Sequence, residues 1–389
     1  MKPLSKKATA IAPSSTLAIN ALANQLIKEG KNILKFGTGE PDFNPTDAVK
    51  EAAIKAVKEN NSRYTAASGL PELKQAFSDK LKEENNLDYS TKQIIVSNGA
   101  KHSLMNVMQA LLNEDDEVIV PRPAWVTFKE QVQLVGGVVK WVDTDENFKL
   151  HADEVEKAVS EKTKAIIINS PCNPTGAVFE ENEIKKIIDL AVENDFYIVS
   201  DECYEHFVYN GKFKSIAAFS KEAYERTLTV NAASKTYAIT GWRIGFTAGP
   251  ENIIKTMANI QSHITSNPCN IAQMAVVEAL RGNQDSVKKM VKEFNERREY
   301  TIKHLNEIKG FDCPTPEGAF YAFPRVNELY KGDIKNSADL CSFLLKEAEV
   351  ALVPGDGFEA DDCIRFSYAS SMDDIKEGIE RIKTAVEKI

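Results

Sequence analysis

The 389-residue sequence lacks long apolar runs and an excess of basic charge. Nowhere do about 18 apolar residues follow one another, so the sequence offers no transmembrane helix. The lysines near the N-terminus are not followed by the apolar segment of a secretory signal. The net charge of -9 disfavours binding to nucleic acid or to anionic membranes, which attract clustered Lys and Arg. These absences favour a cytoplasmic protein that acts on small molecules.

Cysteine and histidine are also scarce, with six and five residues respectively. The cysteines include no CxxC pair, and the histidines lack a metal-binding spacing such as HExxH. We therefore expect reduced, buried thiols and no metal ion.

Short apolar runs alternate with amphipathic segments through the middle of the chain. Six of these runs indicate buried strands, at residues 94–97, 117–120, 138–142, 165–169, 196–200 and 227–231. Strands that alternate with helices predict an α/β fold with a mainly parallel, doubly wound sheet. Such sheets bind ligands at the C-terminal ends of their strands.

The pattern changes near residue 285, where a long charged helix is predicted at 285–309. Strand candidates follow at 319–324, 350–353 and 364–368, and a helix closes the chain. We predict three parts: an N-terminal arm and part of a small domain (1–45), a large domain (46–284), and the rest of a smaller α/β domain (285–389).

Lys235 is the leading candidate for chemistry. It lies in the segment 231–245 (NAASKTYAITGWRIG), directly after a predicted buried strand and among small residues. Most lysines are solvated surface charges. A lysine removed from water loses its proton more readily and becomes a nucleophile toward an aldehyde.

Other polar residues also follow predicted strands. Asp201 and Tyr204 come after 196–200, Asn173 lies in the motif NSPCNPTG at 169–176, and Gly99 begins a predicted helix whose free amides suit a phosphate. Each pattern also has a purely structural interpretation. An aspartate at a strand end is a common helix N-cap, and Asn-Pro with a nearby glycine is an ordinary turn.

The segment around Lys235 resembles the lysine signature of the class I aminotransferases, which are fold-type I enzymes dependent on pyridoxal 5'-phosphate. The resemblance extends over essentially the whole chain. It implies that Lys235 forms the Schiff base and moves the substrate proton. It further implies that Asp201 pairs with the pyridine nitrogen, and that Tyr204 and Asn173 bond the ring oxygen O3'.

The remaining site residues are also carried over from this resemblance. The implied phosphate and ring contacts are Gly99, Ala100, Lys101, Ser234, Arg243 and Trp125, with Tyr64 supplied by the neighbouring subunit of a homodimer with shared active sites. For the substrate, the resemblance implies that Arg365 clamps the α-carboxylate and that Gly39 closes over it, with Trp125 and Asn173 beside them.

A bacterial branch of the family that transaminates aspartate is the most similar, including the arm at 13–16 (PSST). In that branch a lysine and a serine of the partner's arm hold the distal carboxylate, which implies these roles for Lys101 and Ser15. Ala232 stands where the animal-type branch has a serine. The expected reaction converts L-aspartate and 2-oxoglutarate into oxaloacetate and L-glutamate.

Other activities stay open at this point. The same branch includes enzymes for aromatic amino acids or prephenate, and a carbon–sulfur lyase would share Lys235, Asp201 and Arg365. A nicotinamide-dependent dehydrogenase is disfavoured, because Gly37-Thr38-Gly39 runs into a proline instead of a third glycine and a helix.

Overall fold

The computed structural model describes residues 2–9, 11 and 15–389, without the side chains of residues 15–18 and 20. The strands are β1 (Leu34–Lys35), β2 (Ile94–Ser97), β3 (Glu117–Arg122), β4 (Val138–Asp143), β5 (Thr163–Asn169), β6 (Tyr197–Asp201), β7 (Thr227–Ala232), β8 (Gly245–Ala248), β9 (Tyr321–Ala322), β10 (Val350–Ala351), β11 (Val353–Pro354) and β12 (Ile364–Ser367).

The α-helices are α1 (Lys6–Thr9), α2 (Ser15–Lys28), α3 (Asp47–Lys58), α4 (Pro71–Asn85), α5 (Ala100–Leu111), α6 (Thr127–Val135), α7 (Ala152–Ala158), α8 (Glu181–Glu193), α9 (Lys221–Arg226), α10 (Ala233–Thr236), α11 (Glu251–Ile264), α12 (Asn270–Arg281), α13 (Asp285–Leu305), α14 (Ser337–Glu347) and α15 (Met372–Val386). Short 3-10 helices lie at Thr91–Gln93, Ile216–Ala218, Thr240–Trp242, Asn327–Leu329 and Asp356–Phe358.

A seven-stranded sheet in the order β2-β8-β7-β6-β5-β3-β4 forms the centre of the molecule. Strands β3 to β7 run parallel, whereas β8 is antiparallel to both of its neighbours. This confirms the predicted α/β fold with a mainly parallel sheet. The six predicted strands are all present, with ends that differ by a residue or two.

Helices cover both faces of this sheet, and the strands are buried because each face packs against them. In β5, Ile166 and Ile168 face α7 and α8, where they contact a core that includes Ile187. Ile167, which points to the opposite face, packs into the core formed with α5 and α11. Because side chains alternate along β5, this strand contributes to two separate cores, one on each face of the sheet.

Strand β8 was not predicted from the sequence. Its residues Gly245 to Ala248 include two weak strand formers, and the strand is specified by its pairing with β2 and β7. Gly245 lies so close to Gly99 that an added Cβ would stand 2.3 Å from the Gly99 carbonyl carbon. The glycine therefore permits the backbone of β8 to approach the start of α5.

The C-terminal third forms a second, smaller layer with an antiparallel sheet in the order β11-β12-β9. The N-terminal strand β1 pairs with β10, and the Phe36 ring that follows it stacks on Phe366 at 4.3 Å between centroids. The arm thus packs with the C-terminal third. The domain limits at 45/46 and 284/285 stay predictions.

Two predicted strands of this part were too long. The candidate at 319–324 is paired only as β9, and the candidate at 350–353 contains two strands, β10 and β11, that belong to different sheets. The run around Leu352 is continuously apolar and buried, so its pattern does not reveal where the chain passes between sheets.

Within the part of the chain that the structure describes, no helix combines the length and apolar character needed to cross a membrane.

Candidate active site

A cleft of about 720 Å³ opens at the C-terminal ends of β5, β6 and β7, between the large sheet and the C-terminal third. Its walls contain eleven of the residues predicted from the sequence, namely Gly39, Ala100, Lys101, Trp125, Asn173, Asp201, Tyr204, Ser234, Lys235, Arg243 and Arg365. These residues come from distant parts of the chain, and the strand ends bring them together.

Lys235 lies in the short helix α10, which begins directly after β7 ends at Ala232. Its Nζ donates a hydrogen bond to the backbone carbonyl of Gly39. Burial lowers the pKa of the lysine from 10.5 to about 8, because the charged ammonium loses its hydration. A larger fraction of this amine is therefore unprotonated at neutral pH than of a solvated lysine.

Asp201 is the last residue of β6, and its buried side chain contributes to the wall of the cleft. The backbone N–H of Cys203 donates to Oδ1 at 3.2 Å, while Asn169 Nδ2 donates to the backbone carbonyl of Asp201 at 3.1 Å. Burial raises the pKa of this carboxyl group. A cationic or N–H partner in the cleft would favour its charged form.

The Tyr204 hydroxyl is 2.8 Å from the hydroxyl of Tyr321, which the sequence analysis did not identify. Burial and the neighbouring Tyr321 raise the pKa of Tyr204, so its phenol stays protonated. Tyr321 also accounts for the presence of a glycine at position 39, because a Cβ there would lie 2.7 Å from the Tyr321 hydroxyl oxygen. Tyr321 stands in an apolar aromatic run, where neither its type nor its spacing indicates a site residue.

Arg365 is 3% exposed and lies in β12. Its Nη1 donates to Asn173 Oδ1 at 2.9 Å, and its Nη2 donates to the Gly37 carbonyl at 2.9 Å. The guanidinium carbon also stands 4.6 Å from the centre of the Tyr321 ring. These partners are neutral, so the cation in the cleft wall has its full charge available for an anionic ligand.

An anion-binding cradle lies at the N-terminus of α5. Gly99 precedes the helix with a φ of +81°, and a Cβ there would stand 2.3 Å from Arg243 Nη2. Arg243 itself has a left-handed backbone, and its Nη1 donates to the Thr240 carbonyl at 2.9 Å. Free amides at a helix N-terminus beside a guanidinium suit a phosphate or a similar anion.

Lys101, in the first turn of α5, extends into the cleft with its Nζ 4.9 Å from the centre of the Trp125 ring. Desolvation, together with the nearby charge of Arg243, lowers its pKa. Its backbone carbonyl accepts a hydrogen bond from Gln131 Nε2 at 2.7 Å.

Three predicted site residues do not belong to the cleft wall of the described chain. Gly99 lies behind it and shapes the cradle through Arg243. Tyr64 is 91% exposed and contributes nothing to the wall of its own subunit. The side chain of Ser15 lies outside the described residues.

The cleft combines a nucleophilic amine, a buried carboxyl group, an anion cradle at one end and a guanidinium at the other. Such a set of groups is typical of an α/β enzyme that acts on an anionic ligand through a lysine amine.

Comparison with known proteins identifies the family. The family model described as aminotransferase class I and II matches residues 31–382. The chain is 44% identical to an aspartate aminotransferase of Bacillus subtilis, over 99% of each chain. It is 45% identical to a probable aspartate/prephenate aminotransferase of Aquifex aeolicus, over the full length of both. A structure of Thermus thermophilus aspartate aminotransferase with maleate superposes with a TM-score of 0.93 at 39% identity, covering 99% of this chain and all of the other.

The chain therefore belongs to the class I and II aminotransferases, as its sequence motifs indicated, and it is a transferase.

The lowered pKa of Lys235 predicts a pH profile for the cofactor-free protein. The amine becomes neutral as the pH rises through about 8, so its rate of reaction with an acylating reagent should reach half its maximum near that pH. Mass spectrometry of the peptide that contains Lys235 measures this rate. Peptides with exposed lysines serve as the internal control, and a Lys235 profile identical to theirs would contradict the prediction.

Proposed function

We propose that this protein is a pyridoxal 5'-phosphate-dependent aminotransferase that converts L-aspartate and 2-oxoglutarate into oxaloacetate and L-glutamate. The convergence of Lys235, Asp201 and Arg365 in one cleft is the observation that carries the proposal. The relatives named aspartate aminotransferase support the same substrate. The expected cytoplasmic location stays a prediction.

The residues present fit the cofactor. The cradle formed by Gly99 and Arg243 leaves no room for a side chain at Gly99, so backbone amides of α5 are available to a phosphate. Ala100, Lys101 and Ser234 border the same end of the cleft, and Trp125 offers a flat aromatic wall. Asp201 provides a buried carboxyl group for the pyridine nitrogen. When bound, pyridoxal 5'-phosphate supplies an electron sink for negative charge at the substrate Cα.

Lys235 carries the covalent attachment and the proton transfer. Its neutral amine could condense with an aldehyde with release of water. Once the amino group of the substrate has displaced it, the amine could take the proton from the substrate Cα and deliver it to the carbon that carried the aldehyde. Tyr204 and Asn173 hold a ring oxygen through their polar side chains. The ionised form of Asp201 keeps a proton on the ring nitrogen.

Arg365 positions the substrate through its α-carboxylate. Its planar guanidinium suits two parallel hydrogen bonds, and Asn173 fixes its orientation at 2.9 Å. Gly39 is proposed to close over the substrate at a position where a side chain would collide with Tyr321.

Lys101 is proposed to bind the distal carboxylate of the substrate. It is a cation with a lowered pKa that extends into the same cleft as Arg365. Two cations suit a dicarboxylate such as aspartate, and the Thermus thermophilus relative is described with maleate, also a dicarboxylate. Ser15 of the partner's arm is proposed to assist Lys101.

A second candidate is transamination of prephenate, alone or beside aspartate. The name of the Aquifex aeolicus relative supports it, and so do the apolar side chains of Leu134 and Trp141 in the cleft wall. Transamination of aromatic amino acids is a further alternative, because an aromatic aminotransferase from Pyrococcus horikoshii superposes with a TM-score of 0.88 at 38% identity. The carbon–sulfur lyase stays an alternative from the sequence alone.

We further propose a homodimer with shared active sites. Tyr64 is a large aromatic residue that is 91% exposed in the single chain, as expected of a side chain that reaches a partner.

Co-expression of two variants tests the shared site. Lys235→Ala and Tyr64→Ala should each be inactive or weak alone, whereas a hybrid dimer contains one site with both native residues. Because about half of the dimers are hybrids, activity should recover to about a quarter of the wild-type value. Activity no higher than that of the single variants, together with a monomeric mass in sedimentation, would refute the dimer.

Substitution of Lys235 tests the reaction class. Lys235→Ala should still bind added pyridoxal 5'-phosphate but lose at least about 10²–10⁴-fold in turnover, since a positioned acid–base group is removed. Stopped-flow absorbance with aspartate measures the half-reaction. Lys74→Ala is the matched control, because Lys74 is another partly buried lysine with a lowered pKa. Near-normal turnover in Lys235→Ala would contradict the assignment.

Substitution of Lys101 tests the substrate. Lys101→Met should lower kcat/KM for aspartate by about tenfold to a hundredfold, because a charge-assisted hydrogen bond is lost, with little change for alanine. Steady-state kinetics with both substrates measure the ratio. Lys129→Met is the control, because Lys129 lines the same cleft but is paired with Glu359 at 2.7 Å. An equal decrease in kcat/KM for aspartate and alanine would mean that Lys101 does not bind the distal carboxylate.

A further inference from the structure

A buried network of charged side chains lies behind the cleft, outside the residues assigned so far. Its centre is the ion pair between Lys80 in α4 and Glu205, four residues after the end of β6, and each side chain is 5% exposed. Two asparagines, Asn85 and Asn231, join this pair. Asn231 lies near the end of β7, so the network connects helix α4 with the two strand ends that carry the chemistry.

Three donors converge on Glu205, and one of them, Lys80 Nζ, also donates to Asn85 Oδ1 at 2.7 Å. Glu205 Oε1 accepts hydrogen bonds from Lys80 Nζ and, at 2.5 Å, from Asn231 Nδ2, while Oε2 accepts from Asn85 Nδ2 at 2.7 Å. Burial alone would raise its pKa, but Lys80, His206 and these hydrogen bonds lower the pKa to about 2. Glu205 is therefore a fixed negative charge whose two oxygens hold a defined orientation.

The network reaches Lys235 by two routes. Asn231 Oδ1 accepts from the backbone N–H of Ala232 at 2.7 Å, just before the helix that contains the lysine. His206, the residue after Glu205, places its Nδ1 3.2 Å from Thr236 Oγ1 and its Nε2 3.1 Å from Glu84. The two contacts lie on either side of Lys235.

Glu205 also lies next to Asp201 and Tyr204, the residues that are proposed to contact the cofactor ring. Tyr204 precedes it directly, and the backbone N–H of Glu205 donates to the carbonyl of Glu202 at 3.1 Å, in the turn that begins at Asp201. The titratable groups that face Glu205 are Lys80 and His206, with Glu84 beside Lys80 and the buried Glu202 at the other end of the turn. One carboxylate thus joins the Asp201–Tyr204 turn to the Lys235 turn.

We propose that Glu205 is a positioning residue, which holds Lys235 at a fixed place relative to Asp201 and Tyr204. The inference rests on the proposed function. A buried ion pair contributes little net stability, because desolvation of both charges offsets their attraction, and apolar residues of similar volume fold as well. Its directional hydrogen bonds do what an apolar pair cannot, since they fix the mutual orientation of two turns.

An apolar replacement of the Lys80–Glu205 pair distinguishes a role in positioning Lys235 from a role in stability alone. The double variant Lys80→Met with Glu205→Leu removes both buried charges together, so no unpaired charge is left in the interior. We expect a folded protein with a lower melting temperature than the wild type, because Asn85 and Asn231 lose the oxygens that accept their hydrogen bonds. We also expect KM for aspartate to change little while kcat falls by about 10²-fold, the cost of a small misplacement of reacting groups.

A second variant keeps the ion pair. Asn231→Ala leaves Lys80 paired with Glu205 and His206 in contact with Thr236, but it removes the hydrogen bond to the Ala232 N–H, one of the two routes to Lys235. It is therefore informative even if the double variant fails to fold. In the cofactor-free protein the midpoint of Lys235 acylation should rise by at least about half a pH unit, because a less constrained lysine is better hydrated. A purely structural role would leave this midpoint unchanged.

The matched control is Lys82→Met, which removes an exposed ion pair with Asp88 from the same helix. It should match the wild type in kcat and in the acylation midpoint. Wild-type kcat and midpoint in a folded double variant and in Asn231→Ala would overturn the inference while leaving the proposed function intact. A wild-type protein that does not transaminate would overturn both.

Discussion

The removal of the Lys235 amine from water is the constraint on which the active site depends. An amine in bulk solvent stays protonated and inert, so the fold must bury it without trapping it in an ion pair. The structure does so with a backbone carbonyl, that of Gly39, as its hydrogen-bond partner. The Gly39 carbonyl gives the buried amine a hydrogen-bond partner, but it does not favour the protonated form as strongly as a carboxylate would. The pKa of Lys235 therefore falls to about 8.

This solution requires close approach of several chain segments, and glycines permit it. Gly39 lies against the Tyr321 hydroxyl, and Gly245 brings β8 against the start of α5. At both places a methyl group would overlap existing atoms. The shape of the cleft therefore depends on the absence of side chains at these two glycines as well as on the side chains that line it.

Much of the site could be predicted because its residues follow strands with strong local signals. Asp201 ends a buried strand, whereas Asn173 and Lys235 follow the ends of buried strands by four and three residues, and the C-terminal ends of parallel strands lie at one edge of the sheet. Their roles required the resemblance to a family. Strand β8 escaped prediction because its pairing partners, and not its composition, specify it. Tyr321 and Glu205 escaped because their importance arises from contacts with residues more than a hundred positions away.

The pairing of β1 with β10 has a consequence for how the protein is made. The loop that covers Lys235 follows β1, yet β1 has no strand partner until β10, near the other end of the chain, has been synthesised. During translation the large sheet can form first, with its reactive amine still uncovered. The C-terminal third of the sequence then completes the enclosure, so Lys235 is shielded from solvent only after residues 350–351 have been synthesised.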